Sequence, residues 1–165
     1  MSRVVEVVRT YLELRTRDQL RAAPSNASAS FIEQHGITTS HYRDLYRAVG
    51  DHWHWHDRDA WPDHQLAAHL ARPAVRIWEC RVHDQCAGFF ELEQHDDASV
   101  EIAYFGLVER FIGQGLGKAM LTRAANEAWS LSPHVCGCTR AHSTHRTRCR
   151  TISRAGSSRR IMSVL

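Results

Sequence analysis

Lysine is almost missing from this chain of 165 residues: of its 21 basic side chains only Lys118 is lysine. That bias toward arginine, with abundant alanine, fits a GC-rich coding sequence and says nothing direct about function. No apolar run approaches the roughly 18–20 residues that span a bilayer, which excludes a membrane-spanning helix and a membrane partner. The opening MSRVVEVVRTYLEL is interrupted by Glu6 and Arg9 and does not read as a secretory h-region, so a cytoplasmic location is expected. The 5 cysteines are odd in number and lack a framework spacing, which fits reduced thiols rather than a disulfide scaffold. No internal repeat is visible. What is present is an ordinary globular composition, 43% hydrophobic and 24% charged, enough for one domain with a real core.

The net charge of +3 hides an asymmetry. Residues 133–165 contain seven arginines and no acidic residue, while the rest of the chain carries 14 basic against 18 acidic groups. The two parts obey different composition rules.

Residues 4–14 read as a first strand with Val8, Thr10, Leu12 and Leu14 on one face, and residues 21–30 as a Pro/Ser/Asn/Ala loop. Residues 40–49 predict a helix with Tyr42, Leu45, Tyr46 and Val49 on one side, ended by Gly50. Asp63 is expected to cap a second helix running to about Ala71. Runs 75–82 and 86–94 predict two hairpin-linked strands. In the second, Phe90 and Leu92 alternate with Glu91 and Glu93, as in a half-exposed strand. A strand over 99–107 follows, then a helix from about Gly115 to Leu131, its apolar stripe running through Leu116, Met120, Leu121, Ala124, Ala125 and Ala128. The order β-α-α-β-β-β-α is that of an α/β domain whose strands are largely hairpin-connected.

Chemistry concentrates between Val100 and Ala128. The strand leads into Gly113-Gln114-Gly115-Leu116-Gly117-Lys118, which opens the helix. Glycine lets backbone approach a ligand closely, and the first helical turn offers free N–H groups with partial positive charge, a setting for phosphate. A tight ligand-free turn has the same sequence. The loop matches neither a P-loop nor a dinucleotide fingerprint.

The stretch EIAYFGLVERFIGQGLGKAMLTRAANEAW resembles the central acyl-CoA motif of the GNAT N-acetyltransferase superfamily, whose loop reads Gln/Arg-x-x-Gly-x-Gly/Ala. The two glycines fall on Gly115 and Gly117, while the Gln/Arg position falls on Ile112, a departure from the pattern. The resemblance implies a mixed, mostly antiparallel sheet flanked by helices. It also implies acetyl-CoA as co-substrate and a primary amine of a small molecule or peptide as acceptor. It places the pyrophosphate on Ile112, Gly113, Gln114, Gly115, Leu116, Gly117 and Lys118, and the pantetheine arm along Phe105, Gly106 and Leu107. Glu101 occupies the position that resembles a general-base glutamate, with burial beside Tyr104 and Phe105 expected to raise its pKa. An outward-facing Glu101 is the competing reading, since one residue of slip exchanges the faces of a strand. Tyr104 is the companion catalytic candidate, with packing as its plainer role.

The run His52-Trp53-His54-Trp55-His56 leaves three readings open: a metal site, an acceptor pocket lined by Trp53 and Trp55, and ordinary packing. Residues 1–131 match the family pattern within a single domain spanning 1–165. After about residue 132 the chain shows neither helical nor strand periodicity and reads as a basic tail. Back-translated with the CGN and TCN codon boxes, a shifted frame permits V-W-V-H-T-C-T-L-D and then A-L-P-N-Y-L-A-R-G-F. That resembles the expected strand and Tyr-bearing helix, so the tail reads as frameshifted from a point between Leu131 and Val135. Taken as it stands, the tail offers Cys136, Cys138, His142, His145 and Cys149 as zinc ligands of no standard spacing, and seven arginines for nucleic acid. An acyl-CoA-binding relative without turnover is the remaining alternative.

Overall fold

The structure, a computed structural model, describes residues 8–24, 26–53 and 55–142. Six strands form one sheet: β1 (Val8–Leu14), β2 (Ala29–Glu33), β3 (Val75–Val82), β4 (Gln85–Gln94), β5 (Val100–Leu107) and β6 (Cys136–His142). Helices α1 (Thr39–Gly50) and α2 (Asp63–Leu70) precede β3, and α3 (Leu116–Ser130) joins β5 to β6. The sheet order is β1-β6-β5-β4-β3-β2, with every neighbouring pair antiparallel except β5 and β6. A β5–α3–β6 crossover between parallel strands needs a helix, and α3 supplies it.

Each face of the sheet is covered. Leu116, Met120, Leu121, Ala124, Ala125 and Ala128 of α3 bury their stripe, as periodicity predicts, against Trp78, Phe90, Leu92, Val100 and Ile102. On the other face Tyr42, Leu45, Tyr46 and Val49 of α1 and Leu66 of α2 pack against Val75, Ile77 and Phe89. Thr38 caps α1, its hydroxyl accepting from the His41 amide at 3.2 Å. Asp63 does not cap α2, contrary to expectation. Pro62 holds the N-cap position, and the Asp63 carboxylate turns instead to Arg43 at 2.9 Å.

Two further corrections concern strands. The loop expected over 21–30 gives way at Ala29 to β2, which pairs antiparallel with β3 at the sheet edge. The basic segment after Pro133 forms β6, paired along its length with β1 and, over Cys136–Cys138, with β5. Residues 143–165 of the expected tail, with His145 and Cys149, lie outside the described residues.

In β5 the register slips between the pairs Glu91↔Tyr104 and Leu92↔Ile102, so Ala103 is an extra residue. A bulge of this kind exchanges the faces of the strand beyond it. Val100 and Ile102 point to the α3 core before the bulge, Phe105 and Leu107 after it, and Tyr104 turns toward α1. Close backbone approach follows. A Cβ on Gly88 would lie 2.4 Å from the Gly106 carbonyl oxygen, and one on Gly106 would lie 2.4 Å from Val49 Cγ1.

Gly88→Ala is therefore expected to lower the unfolding free energy by about 1–3 kcal/mol, the range for overpacking a rigid neighbour. Urea denaturation checks this; an unchanged midpoint would show that the strands have room to part.

Candidate active site

The turn between β5 and α3 holds the glycine loop. A short 3-10 turn at Glu109–Phe111 buries Phe111 and leaves Ile112 exposed. Gly113 and Gly115 take φ of +87° and +78°, values that L side chains rarely adopt, and a Cβ at either would meet nothing within 4 Å. The loop is thus open on its outer side, not roofed by packed side chains. Gly115 is the N-cap of α3 and offers no side chain to the first-turn amides, which are left facing that open space. Gln114 stiffens the loop, its amide donating to the Arg110 carbonyl at 2.9 Å. Leu116 turns its side chain into the core, Gly117 lies against Leu107, and Lys118 is exposed.

Beside this loop the sheet splits. β5 and β6 are paired only over Val100–Ile102 and Cys136–Cys138; from Ala103 to Leu107 no strand among the described residues pairs with that side of β5. The cleft opens toward the α3 N-terminus and closes near Ile102. Backbone of Phe105, Gly106 and Leu107 borders it.

Across the sheet from the α3 core, the end of α1 and the segment after it lie on β5. Trp55 packs its ring 5.2 Å from Tyr104 and 5.5 Å from Tyr46, and its Cβ would sit 2.7 Å from a Cβ on Gly50. Trp53 is 44% exposed and belongs to a 3-10 turn, not a strand. His54 of that run lies outside the described residues.

Residues 40–152, more than half of the chain, match the model of the Acetyltransferase (GNAT) family. The chain belongs to this family. No curated protein matches it in sequence. Among solved structures it is similar to a GCN5-related N-acetyltransferase from Sphaerobacter thermophilus, with a TM-score of 0.62 at 11% identity over 98% of this chain and 50% of that one. It is similar also to one from Kribbella flavida, with a TM-score of 0.57 at 15% identity over 84% of this chain and 49% of that one. An aminoglycoside acetyltransferase from a soil metagenomic sample matches with a TM-score of 0.54 at 10% identity over 65% of this chain and 74% of that one. The chain spans about half the length of the first two. At these identities the likeness is one of fold, and acetyltransferases of this family use acetyl-CoA.

Within the GNAT frame the two catalytic candidates stand apart. Glu101 lies at the closed end of the cleft, opposite Glu93 on β4 and Gly137 on β6, ~20 Å along the strand from Leu107 by the rise per residue. It is not buried beside Tyr104 and Phe105 as expected. Its side chain is 36% exposed, its carboxylate lies 3.3 Å from His95 Nε2, and Phe105 points to the other face. Tyr104 is packed. Burial, with Tyr46 beside it, pushes its phenol well up, so it holds its proton. Cys136 is 2% exposed in the α3 core, where burial pushes its thiol up to about 11.

The structure also shows a cluster that the strand pattern hid. Glu91, expected on a half-exposed face, is fully buried. Its carboxylate accepts from Tyr42 Oη at 2.5 Å and from Arg58 Nη2 at 3.0 Å, and lies 2.9 Å from His69 Nε2. Burial alone would raise its pKa, but the His69 hydrogen bond, the Arg58 charge and the Tyr42 hydroxyl outweigh it and hold the carboxyl below its ordinary value. His69, Glu91 and Glu93 bring three ligand atoms within 4.8 Å of one another. Arg58 and Tyr42 already occupy the Glu91 oxygens, so this cluster is an ion pair and not a metal cage. The sequence signal was Phe89-Phe90: two adjacent aromatics on a strand face opposite ways, so both faces of β4 are covered and Glu91 requires a buried partner.

Because the folded carboxyl titrates below its unfolded value near 4.5, Glu91 contributes stability present above that pH and lost as pH falls through the lowered value. The urea midpoint is expected to drop on acidification below 4.5 and to drop less in Glu91→Gln. Equal slopes in both proteins would contradict the ion pair.

Proposed function

We propose that this chain transfers an acetyl group from acetyl-CoA to a primary amine of a small molecule or peptide, within one domain spanning residues 1–165. The observation that carries the reading is the open glycine turn at an uncapped helix N-terminus, set beside a strand edge that no strand among the described residues pairs from Ala103 onward. Backbone amides from Gly113 to Lys118 would hold the pyrophosphate, since their N–H groups and the helix dipole favour negative charge. Ile112 in place of the usual Gln/Arg is compatible with this, because a backbone cradle asks for N–H groups and space rather than a particular side chain. The exposed backbone of Phe105, Gly106 and Leu107 would run beside the pantetheine arm. Its amides lie where charge grows on the acyl oxygen. Acetyl-CoA supplies the acetyl group as a thioester.

An arm running from the α3 N-terminus toward the closed end of the cleft ends near Ile102, which brings Glu101 into position to take a proton from the acceptor ammonium. The neutral amine then attacks the thioester carbonyl, the C–S bond breaks and CoA leaves as its thiolate. Tyr104, with its firmly held proton, would donate a hydrogen bond on the acceptor side, beside Trp55 and the exposed Trp53. The soil aminoglycoside acetyltransferase shows that this fold serves cationic small-molecule amines, and such amines are among the acceptors proposed here.

Two experiments test the reading. Isothermal titration should show CoA binding to the wild-type chain and at least a tenfold loss in a Gly115→Asp/Gly117→Asp variant, where a carboxylate repels phosphate and φ of +78° is strained. Affinity unaltered by those charges would sink the cradle. With an amine panel and a thiol-release assay, Glu101→Gln is expected to lower turnover about 10²–10⁴-fold, the scale of general acid–base catalysis, with CoA affinity kept. Full activity in that variant would remove Glu101 from the mechanism. CoA binding with no turnover of any amine would mark a binding relative instead.

A further inference from the structure

The Glu91 cluster is not accounted for by the acetyl-transfer reading, and its position is specific. Glu91 lies directly across from Tyr104 in the β4–β5 register, at the bulge. Arg58, 8% exposed, reaches inward from the α1–α2 connection to bind it. On the way its guanidinium lies 4.0 Å from the Trp61 ring centroid and 5.2 Å from that of Tyr104. The Arg58 amide donates to Tyr46 Oη at 3.3 Å. Arg58 Nε has no acceptor among the described residues, so that edge of the guanidinium rests on aromatic rings rather than on oxygen. On the outside, the same segment is tied by Arg43 to the Trp61 carbonyl at 2.7 Å and by Arg47 to Asp59 at 3.1 Å. The Arg47 tie is solvated and weak and the Arg43 tie is part-buried, whereas the Arg58 tie is buried and joins opposite charges.

We propose that the buried Arg58–Glu91 pair clamps the 55–62 segment onto β4, beside β5, and so holds Trp55 against Tyr104 as the acceptor-side wall of the cleft, making Arg58 a positioning residue for the amine. The inference rests on the acetyltransferase reading. Its geometry is local. Trp55 Cη2 would come within 3.4 Å of a Cβ on Gly106, the same residue whose backbone borders the proposed pantetheine path. A shift of the 55–62 segment therefore moves the wall on the acceptor side of β5, while the glycine loop, on the other side of β5, stays in place.

The test uses Arg58→Lys in the full chain, with a double variant Arg58→Met/Glu91→Gln that leaves no buried charge unpaired should the first fail to fold. Three readouts are taken: CoA affinity by calorimetry, separate KM values for acetyl-CoA and for the best of spermidine, kanamycin and glycinamide, and hydrogen exchange of the amides. The proposal expects CoA affinity and the acetyl-CoA KM within twofold of wild type. It expects the amine KM to rise at least tenfold, with the 55–62 amides exchanging at least tenfold faster while those of α3 do not. An unchanged amine KM, a parallel loss of CoA affinity, or unchanged exchange at 55–62 overturns it. A wild-type chain that binds no CoA sinks the acetyltransferase reading instead, and the exchange result still decides the clamp.

Discussion

Ala103 has no counterpart on β4, and much of the molecule is arranged around that extra residue. Before it, Val100 and Ile102 feed the core under α3; after it, Phe105 and Leu107 do. Without the bulge, an alternating strand would send Tyr104 into the α3 core and Phe105 and Leu107 to the other face. The same point marks where β5 parts from β6. A bulged strand twists more sharply than its neighbours, so the residue that re-aims the side chains also lies where the edge of the strand becomes available. In the proposed reading, donor and acceptor halves of the site then lie on opposite faces of one strand, with Gly106 thin enough to let α1 and Trp55 come down onto the backbone between them.

The acceptor half carries the larger energetic risk. A carboxylate sealed in the protein interior is costly to desolvate, and Glu91 meets that cost with three donors around two oxygens. Such an arrangement adds little net stability over an apolar core of the same shape, yet removing one partner strands the other at a cost of about 3–5 kcal/mol. What it supplies is uniqueness of position. Greasy contacts between Trp55, Tyr46 and Tyr104 would tolerate small slides. The Arg58 fork, held by oxygen on one side and by the Trp61 ring on the other, does not.

The glycine turn proposed for the donor was legible in the sequence because it is made of backbone. Glycines at 113, 115 and 117 announce a sharp turn and an unencumbered approach whatever surrounds them, and the stripe of α3 announces which way the helix faces. The acceptor half is made of side chains brought together across α1, α2, β4 and β5, and spacing along one strand does not disclose it. Glu91 reads as solvent-facing only if one face of β4 is taken to be wet; two helices ahead of β3 were enough to cover it. Asp63 failed as a cap for a related reason, since a tertiary partner, Arg43, outcompeted the local amides.

β6 shows the opposite limit of sequence reading. Its residues, Cys136 to His142, alternate in no hydrophobic pattern, and small or polar types predominate. Strand patterns arise from burying one face, but a strand enclosed by two partners can instead be specified by its ladders. Here seven registered pairs with β1 and three with β5 fix the backbone, while Cys136 anchors the start in the α3 core. Gly137, with the Leu12 carbonyl oxygen 3.6 Å from where its Cβ would be, lets β1 lie close. Because β5 leaves after three pairs, the ladder with β1 must hold β6 over the remainder. The N-terminal strand thus does more than cover an edge: by keeping β6 away from β5 beyond Ile102, it preserves the opening on which the proposed donor site depends.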